Sequence, residues 1–452
     1  MSRDEFASKA LAGDRAEVVF EDYKAPYTHG QALAEANRCL YCFDAPCIKV
    51  CPTSIDIPTF IRRIAEDNAI GAAKTIFEAN ILGMSCARVC PVEVLCVGDC
   101  VYNEMGIPPI QIGKLQRYAT DEAYATQERF FEAGEDTGKK VALIGGGPAS
   151  LAAAHELRRL GHGVTIFERH DYLGGLNTDG VAPYKMKSDR ALEEAHWVIG
   201  IGGVEVRSNV EIGKDISFAD IEEEFDAVFL GVGLGLDRYM ELDGADAEGI
   251  YGAVDYIAKF KLGKVDLDGV RRAIVVGGGN TALDAVRELR GLGIEHVTMV
   301  YRGVEDRMSG YAHEWDAAKR EGVIATWRTQ PEAFLRGDDG KLTGLRCHHL
   351  DDSKQKIDGS AFELDADLVL LAIGQGKLSS LFGDLDGVEL EWGCVKVDEH
   401  GATGRPGYFA GGDCANGGKE VVNAADEGKR AARGIHAYLQ QQHTDDEEQA
   451  HA

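Results

Sequence analysis

No run in this chain of 452 residues approaches the ~18 consecutive apolar residues needed to span a bilayer. The first stretch, MSRDEFASKALAGDRAEVVFEDY, also lacks the apolar core of a secretory leader. Basic residues are scarce: 48 Lys and Arg stand against 75 Asp and Glu, a formal net charge of −27. An acid excess of that size repels phosphate backbones and anionic lipid, so neither nucleic acid nor membrane is an expected partner. Its plainest reading is a solvated acidic surface. The expected location is the cytoplasm, where thiols stay reduced. Outside one short region there is no C-x-x-C pair; Cys347, Cys394 and Cys414 stand singly and are expected to be packing residues. No histidines stand at ligand spacing, and His196 and His313 read as ordinary polar or core residues.

Cysteine is abundant in one place. Eight of the 11 fall between residues 39 and 100, in two groups of four: Cys39, Cys42, Cys47 and Cys51, then Cys86, Cys90, Cys96 and Cys100. The first group reads C-x2-C-x4-C-x3-C-P, one step from the ferredoxin run in which the last cysteine reaches across to a second cluster. Two such groups imply two [4Fe-4S] clusters. Disulfides would need an oxidising compartment, and structural zinc would want C-x2-C pairs in tetrahedral sets, whereas only Cys39 and Cys42 are so spaced. Ile57, Phe60, Ile61 and Ile64 carry helical periodicity between the groups, and a second helical stretch follows Gly71. Residues 1–138 are therefore expected to form a helical iron–sulfur domain, with 132–140 as linker.

The pattern then changes. Lys140 to Ile144 is a short apolar strand, followed by the turn Gly145-Gly146-Gly147-Pro148-Ala149-Ser150, a helical run, and a second strand ending in Glu168. This is a βαβ dinucleotide unit with Ser150 at the third position of G-x-G-x-x-G. Gly145 makes the tight turn, Gly147 admits the pyrophosphate, and Glu168 is placed to accept from a ribose. The pattern repeats at Arg272 to Ala282, where Gly277, Gly279, Asn280, Thr281 and Ala282 form the second turn. Two dinucleotide folds, one nested in the other, imply a flavoprotein that also binds a nicotinamide. Asp226 to Gly233 and Asp367 to Gly374 are Asp-led buried strands that mark the crossings. Gly407 to Asp413 is a terminal strand closing on Gly-Asp, before a helix starting near Val421.

With these residues on the page, the chain resembles, over nearly its whole length, the flavin and iron–sulfur subunit of bacterial NAD-dependent dihydropyrimidine dehydrogenase, within the glutamate synthase small-chain family. It is similar also to the N-terminal half of the animal dihydropyrimidine dehydrogenase. The matching phrases are Asp44-Ala45-Pro46-Cys47, Leu82-Gly83-Met84, Leu95-Cys96-Val97-Gly98, Gly147-Pro148-Ala149-Ser150 and Tyr172-Leu173-Gly174-Gly175-Leu176. The resemblance implies an α/β protein: an N-terminal helical double [4Fe-4S] domain followed by two nested Rossmann-like domains. The expected divisions are 1–138 for iron–sulfur, 139–252 and 375–440 for FAD, 253–374 for NAD(P)H, and 441–452 as a disordered acidic tail. It implies Cys39, Cys42, Cys47 and Cys100 around one cluster, and Cys51, Cys90 and Cys96 on the other. Gln116 is the favoured fourth ligand there, with Cys86 as the alternative. It places Gly175 and Leu176 at the flavin, and Asp413 at the ribityl–pyrophosphate region.

The implied activity is electron input: hydride from NADH or NADPH to FAD, then single electrons through the clusters. The implied acceptor is an FMN and iron–sulfur catalytic subunit that interconverts uracil or thymine and the 5,6-dihydropyrimidine. The assembly is a hetero-oligomer, of which a heterotetramer is one form. No side-chain acid or base is expected on the input side. Arg302, at the end of the second fold's second strand, suits a 2′-phosphate, whereas the resemblance leans to NADH. A glutamate synthase small chain, and an electron carrier of a ferredoxin-linked complex, are the rival readings.

Overall fold

The computed structural model describes residues 11–263, 265–376, 378–382 and 385–451; residues 1–10 of the expected helical domain and Ala452 of the expected tail lie outside the described residues. Among the described residues, six α-helices make the N-terminal region: α1 (His29–Ala36), α2 (Pro46–Lys49), α3 (Ile57–Ala65), α4 (Ala69–Ala79), α5 (Gly83–Val89) and α6 (Ile112–Ala125). Local chemistry sets their starts. Thr28 and Gln31 form a reciprocal capping box on α1, Asp56 caps α3 beside a first-turn proline, and Asn68 caps α4. The expected apolar face of α3 is buried at Ile57, Phe60, Ile61 and Ile64.

The first parallel sheet has the order β15-β4-β1-β2-β3, from β1 (Lys140–Ile144), β2 (Gly163–Glu168), β3 (Val204–Ser208), β4 (Ala227–Leu230) and β15 (Tyr408–Ala410). The second, β5-β12-β6-β7-β8, contains β5 (Ile250–Gly252), β6 (Arg272–Val276), β7 (His296–Val300), β8 (Ile324–Thr326) and β12 (Leu368–Leu371). An antiparallel sheet of β9 (Thr329–Arg336), β10 (Leu342–His349) and β11 (Phe362–Asp365) flanks it, and a hairpin of β13 (Leu390–Glu391) and β14 (Cys394–Val395) precedes β15. The two Asp-led strands begin alike. Asp226 accepts from the backbone N–H of Lys140 at 2.8 Å, and Asp367 from those of Arg271 and Arg272 at 3.0 and 2.9 Å, so the aspartates pin β4 to β1 and β12 to β6.

The remaining helices are α7 (Pro148–Arg159), α8 (Leu176–Asp179), α9 (Ser188–Ile199), α10 (Phe218–Glu224), α11 (Ala253–Leu262), α12 (Asn280–Gly291), α13 (Ala312–Arg320), α14 (Ser379–Phe382), α15 (Asp413–Asn416) and α16 (Val421–His451). Helices α16 and α7 pack so closely that a Cβ on Gly428 would meet the Ala149 carbonyl at 2.1 Å.

Three features depart from the sequence expectation. Strand β5, assigned to the first flavin segment, pairs with β12 in the second sheet, so the crossing lies before it; three residues are too short to show alternation. Residues 441–451, expected to be disordered, continue α16 as helix. The stretch read as a linker is fixed: Gly134 N–H donates to Arg158 O and Thr137 N–H to Gly161 O, at 2.8 and 3.1 Å. The iron–sulfur region and the flavin fold in fact share one apolar core. Phe77 of α4 and Tyr124 of α6 pack on Trp197 of α9, with ring centroids 4.7 and 5.3 Å apart.

Candidate functional site

Cys39, Cys42, Cys47 and Cys100 line one cavity in the helical region, walled by Ile57, Ile61, Ile110 and Ile112. Loops 38–43 and 100–108 are tied together by Tyr102 Oη donating to Arg38 O at 2.6 Å and Arg38 donating to Pro108 O at 2.5 Å. Burial pushes the Cys47 thiol up to about 12, with Cys39, Cys100 and Cys42 adding to it; burial likewise raises Cys39. Crowded buried thiols of this kind ionise only against positive charge, which iron supplies. Four thiols lining one cavity are the donor set that a cluster takes. All 11 cysteines are free thiols, so the disulfide alternative fails.

The second group adjoins the first. Cys96 is held protonated by burial, then by Cys90, Cys51 and Cys47. Cys90 is raised first by a hydrogen bond with Cys86, then by burial. Asn80 Nδ2 donates to Cys86 Sγ at 3.0 Å. Gln116, buried on α6, donates from Nε2 to Gly83 O at 2.8 Å. Helix α5, which carries Cys86, is gripped at its start by Glu194 of α9. That carboxylate accepts from the Met84 and Ser85 N–H groups, both at 3.0 Å, and from Ser85 Oγ. Asn177, just after the Gly175-Leu176 turn, donates to the same Ser85 hydroxyl at 3.1 Å. Sequence reasoning did not single out Glu194 or Asn177. A buried glutamate on an amphipathic helix carries no local signal.

In the first glycine turn, Gly145 has φ +93°, and a Cβ there would meet Gly231 O at 2.6 Å. Gly147 caps α7 and has open space where its Cβ would stand, so a pyrophosphate can reach the helix N-terminus. Ser150 is fully buried with no protein partner for its hydroxyl, which a bound acceptor beside Gly147 would satisfy. Glu168 accepts from Gly146 N–H at 2.7 Å and His170 N–H at 2.9 Å. Both oxygens thus already serve the backbone, leaving their second lone pairs for a ribose. Gly175, at φ +49°, sets its turn against Gly147, and Leu176 opens α8. Asp413 opens α15 with its carboxyl pushed up to about 6 by burial, partly offset by the Lys419 N–H.

In the second turn, a Cβ on Gly277 would meet Ala372 O at 2.3 Å, and Gly279 caps α12 with near-open space above it. Asn280 accepts from Tyr311 N–H at 3.0 Å, Thr281 lines an open cavity, and Ala282 is buried against the sheet. Arg302 is exposed just beyond β7, while Glu305 is taken up by Trp315 Nε1 at 2.9 Å and Lys319 at 2.8 Å. That cavity, of about 770 Å³, runs from Thr281 and Ala372 of the second fold to Asn416, Gly417 and Gly418 of the first.

Residues 139–428 match the family model described as pyridine nucleotide-disulphide oxidoreductase, and residues 15–128 that of dihydropyrimidine dehydrogenase domain II, 4Fe-4S cluster. The chain is 36% identical to the glutamate synthase [NADPH] small chain of Halomonas elongata, over 95% of each chain. It is 35% identical to the NAD-dependent dihydropyrimidine dehydrogenase subunit PreT of Escherichia coli, covering 92% of this chain and 96% of that one. Among solved structures, FprA of Mycobacterium tuberculosis superimposes with TM-score 0.55 at 20% identity, over 67% of this chain and 85% of that one. Thioredoxin reductase of Lactococcus lactis does so at 0.54 and 22%, over 67% and 99%; these two speak to the fold alone. The chain belongs to the family of NAD(P)H-dependent flavin and iron–sulfur oxidoreductases that includes the glutamate synthase small chain and the PreT subunit of dihydropyrimidine dehydrogenase.

Proposed function

We propose that this chain is the electron-input subunit of a dihydropyrimidine dehydrogenase, drawing on NAD(P)H and supplying an FMN-containing partner that interconverts uracil or thymine and the 5,6-dihydropyrimidine. FAD and two [4Fe-4S] clusters, when bound, would split the electron pair of one hydride into single-electron steps. One observation carries the electron-input part of this reading. Glu420 stands immediately before α16 and accepts from Tyr311 Oη of the nucleotide fold at 2.7 Å, and its charge bears on Cys90. One residue thus ties the nucleotide fold to the start of α16, within electrostatic range of the second thiol group.

The chain's own work is binding and alignment. Gly145, Gly147, Ser150, Glu168, Gly175, Leu176 and Asp413 would hold FAD; Gly277, Gly279, Asn280, Thr281 and Ala282 would hold the nicotinamide nucleotide. Cys39, Cys42, Cys47 and Cys100 would hold one cluster. Cys51, Cys90, Cys96 and Gln116 would hold the other, because the Gln116 amide nitrogen is anchored on Gly83 and leaves Oε1 to bind iron. Cys86, whose sulfur receives Asn80 Nδ2 at 3.0 Å, is then a neighbouring thiol beside that cluster. Arg302 and the occupied Glu305 favour a 2′-phosphate, making NADPH the expected donor where the family resemblance leans to NADH.

Relatives named glutamate synthase small chain match equally well, at 34–36% identity, and supply the second reading. The test mixes the anaerobic holoprotein and the product of its neighbouring gene with NADPH or NADH, then with uracil or with glutamine and 2-oxoglutarate. Uracil reduction, faster with NADPH, is the expected result. Glutamate formation alone would replace this reading with the second.

A further inference from the structure

The hairpin β13–β14 carries a backbone anomaly. Leu390 pairs with Val395 and Glu391 with Cys394, leaving the two-residue turn Trp392-Gly393. Both have positive φ, 53° and 80°, the signature of a type I′ turn. Such turns favour Asn-Gly or Asp-Gly, because a bulky side chain at the first position crowds its own backbone. Trp392 is strained there, and its indole is also left in the open, 85 % exposed. An indole outside the core on a strained turn adds nothing to the fold. Strain that persists without a structural return concentrates at ligand clamps.

Its position indicates the ligand. Trp392 lines the cavity of about 770 Å³ that Thr281, Ala372 and Gly374 close from the nucleotide side. The hairpin belongs to the flavin segment, so Trp392 and the turn that would hold the nicotinamide nucleotide line the same cavity from different folds.

We propose that Trp392 is a positioning residue for NAD(P)H, its indole closing over the nicotinamide end and holding it toward the flavin. The proposal rests on the NAD(P)H-input reading above. An indole face stacks on a planar heterocycle and attracts the positive charge of the oxidised nicotinamide more strongly than the neutral reduced ring.

The test uses the FAD-loaded holoprotein and the variants W392A, W392F and W392N. Anaerobic stopped-flow reduction of the flavin gives Kd for the reduced nucleotide and the limiting rate; competition by NADP+ gives the affinity for the oxidised form. W392A should raise both dissociation constants, about 3-fold for the reduced and about 10-fold for the oxidised nucleotide, and W392F should restore most of the loss. W392N, which creates the favoured Asn-Gly turn, should weaken the nucleotide as W392A does while raising Tm by about 1–3 °C. Unchanged dissociation constants in W392A would overturn the proposal. So would a shifted flavin spectrum or lost flavin in W392A, because the indole would then serve the flavin. If neither nucleotide reduces the wild-type flavin, the input reading itself fails and takes this proposal with it.

Discussion

Gln116 and Cys86 lie on the adjacent helices α6 and α5, and their surroundings differ. The Gln116 carboxamide is buried and oriented by Gly83 O, whereas the Cys86 sulfur already receives Asn80 Nδ2. Gln116→Leu keeps the volume and removes the oxygen, so it should cost about half of the bound iron with flavin retained. Cys86→Ser should keep nearly all of it. Iron analysis with EPR of the reduced protein checks both, and loss of a cluster in Cys86→Ser alone would reverse the assignment. The glycine turns were legible at this scale because backbone approach demands particular residues at fixed spacing. Glu194, Asn177 and Glu420 were not, because each acts across elements more than 90 residues apart in sequence.

Helices α5 and α9 show how an element is held by a distant charge. Glu194 is fully enclosed; burial pushes its carboxyl up to about 7, against the pull of the Ser85 and Met84 donors and Arg88. An unfolded glutamate titrates near 4.5. Between those values the native chain keeps a proton that the unfolded chain has released, so stability falls as pH rises through the window. Glu194→Gln stays neutral throughout. Thermal unfolding should therefore show the wild type losing Tm relative to Glu194→Gln from about pH 5 to about pH 8; parallel curves would contradict the account. Element reading from sequence worked where periodicity is long, as in α3, or where a strand, turn and helix occur together, as in β1 and α7. It failed at β5, which is too short to show a pattern, and at 441–451, where polar composition suggested fraying and the helix simply continues.

Across the whole molecule, the nucleotide fold is fastened to the flavin fold by contacts that no local pattern announces. Burial works against the charge on Lys185, but Asp284 and Glu314, at 2.8 and 2.7 Å, outweigh it and hold its pKa above the ordinary value. Tyr184 Oη donates to Asp284 at 2.6 Å, and the Arg287 guanidinium lies 4.2 Å over the Tyr184 ring. The N-terminal segment adds Phe20 against Phe260 and Glu17 accepting from Ser188. Such a network keeps two nested folds in one relative orientation, which hydride transfer between their ligands requires. The two glycine turns and the Asp-led strands made the nesting of the folds legible in sequence; their mutual orientation was not, because it depends on side chains meeting across long separations.

The central claim is that one chain carries flavin and two clusters in separable sites, and content analysis after anaerobic reconstitution tests it most directly. Iron, sulfide and FAD are measured for the wild type and for Cys47→Ala, with EPR after reduction by NADPH. The account predicts about eight irons and one FAD in the wild type, and about four irons with full FAD in the variant. Iron and flavin falling together in Cys47→Ala, or a wild type holding only about four irons, would contradict it.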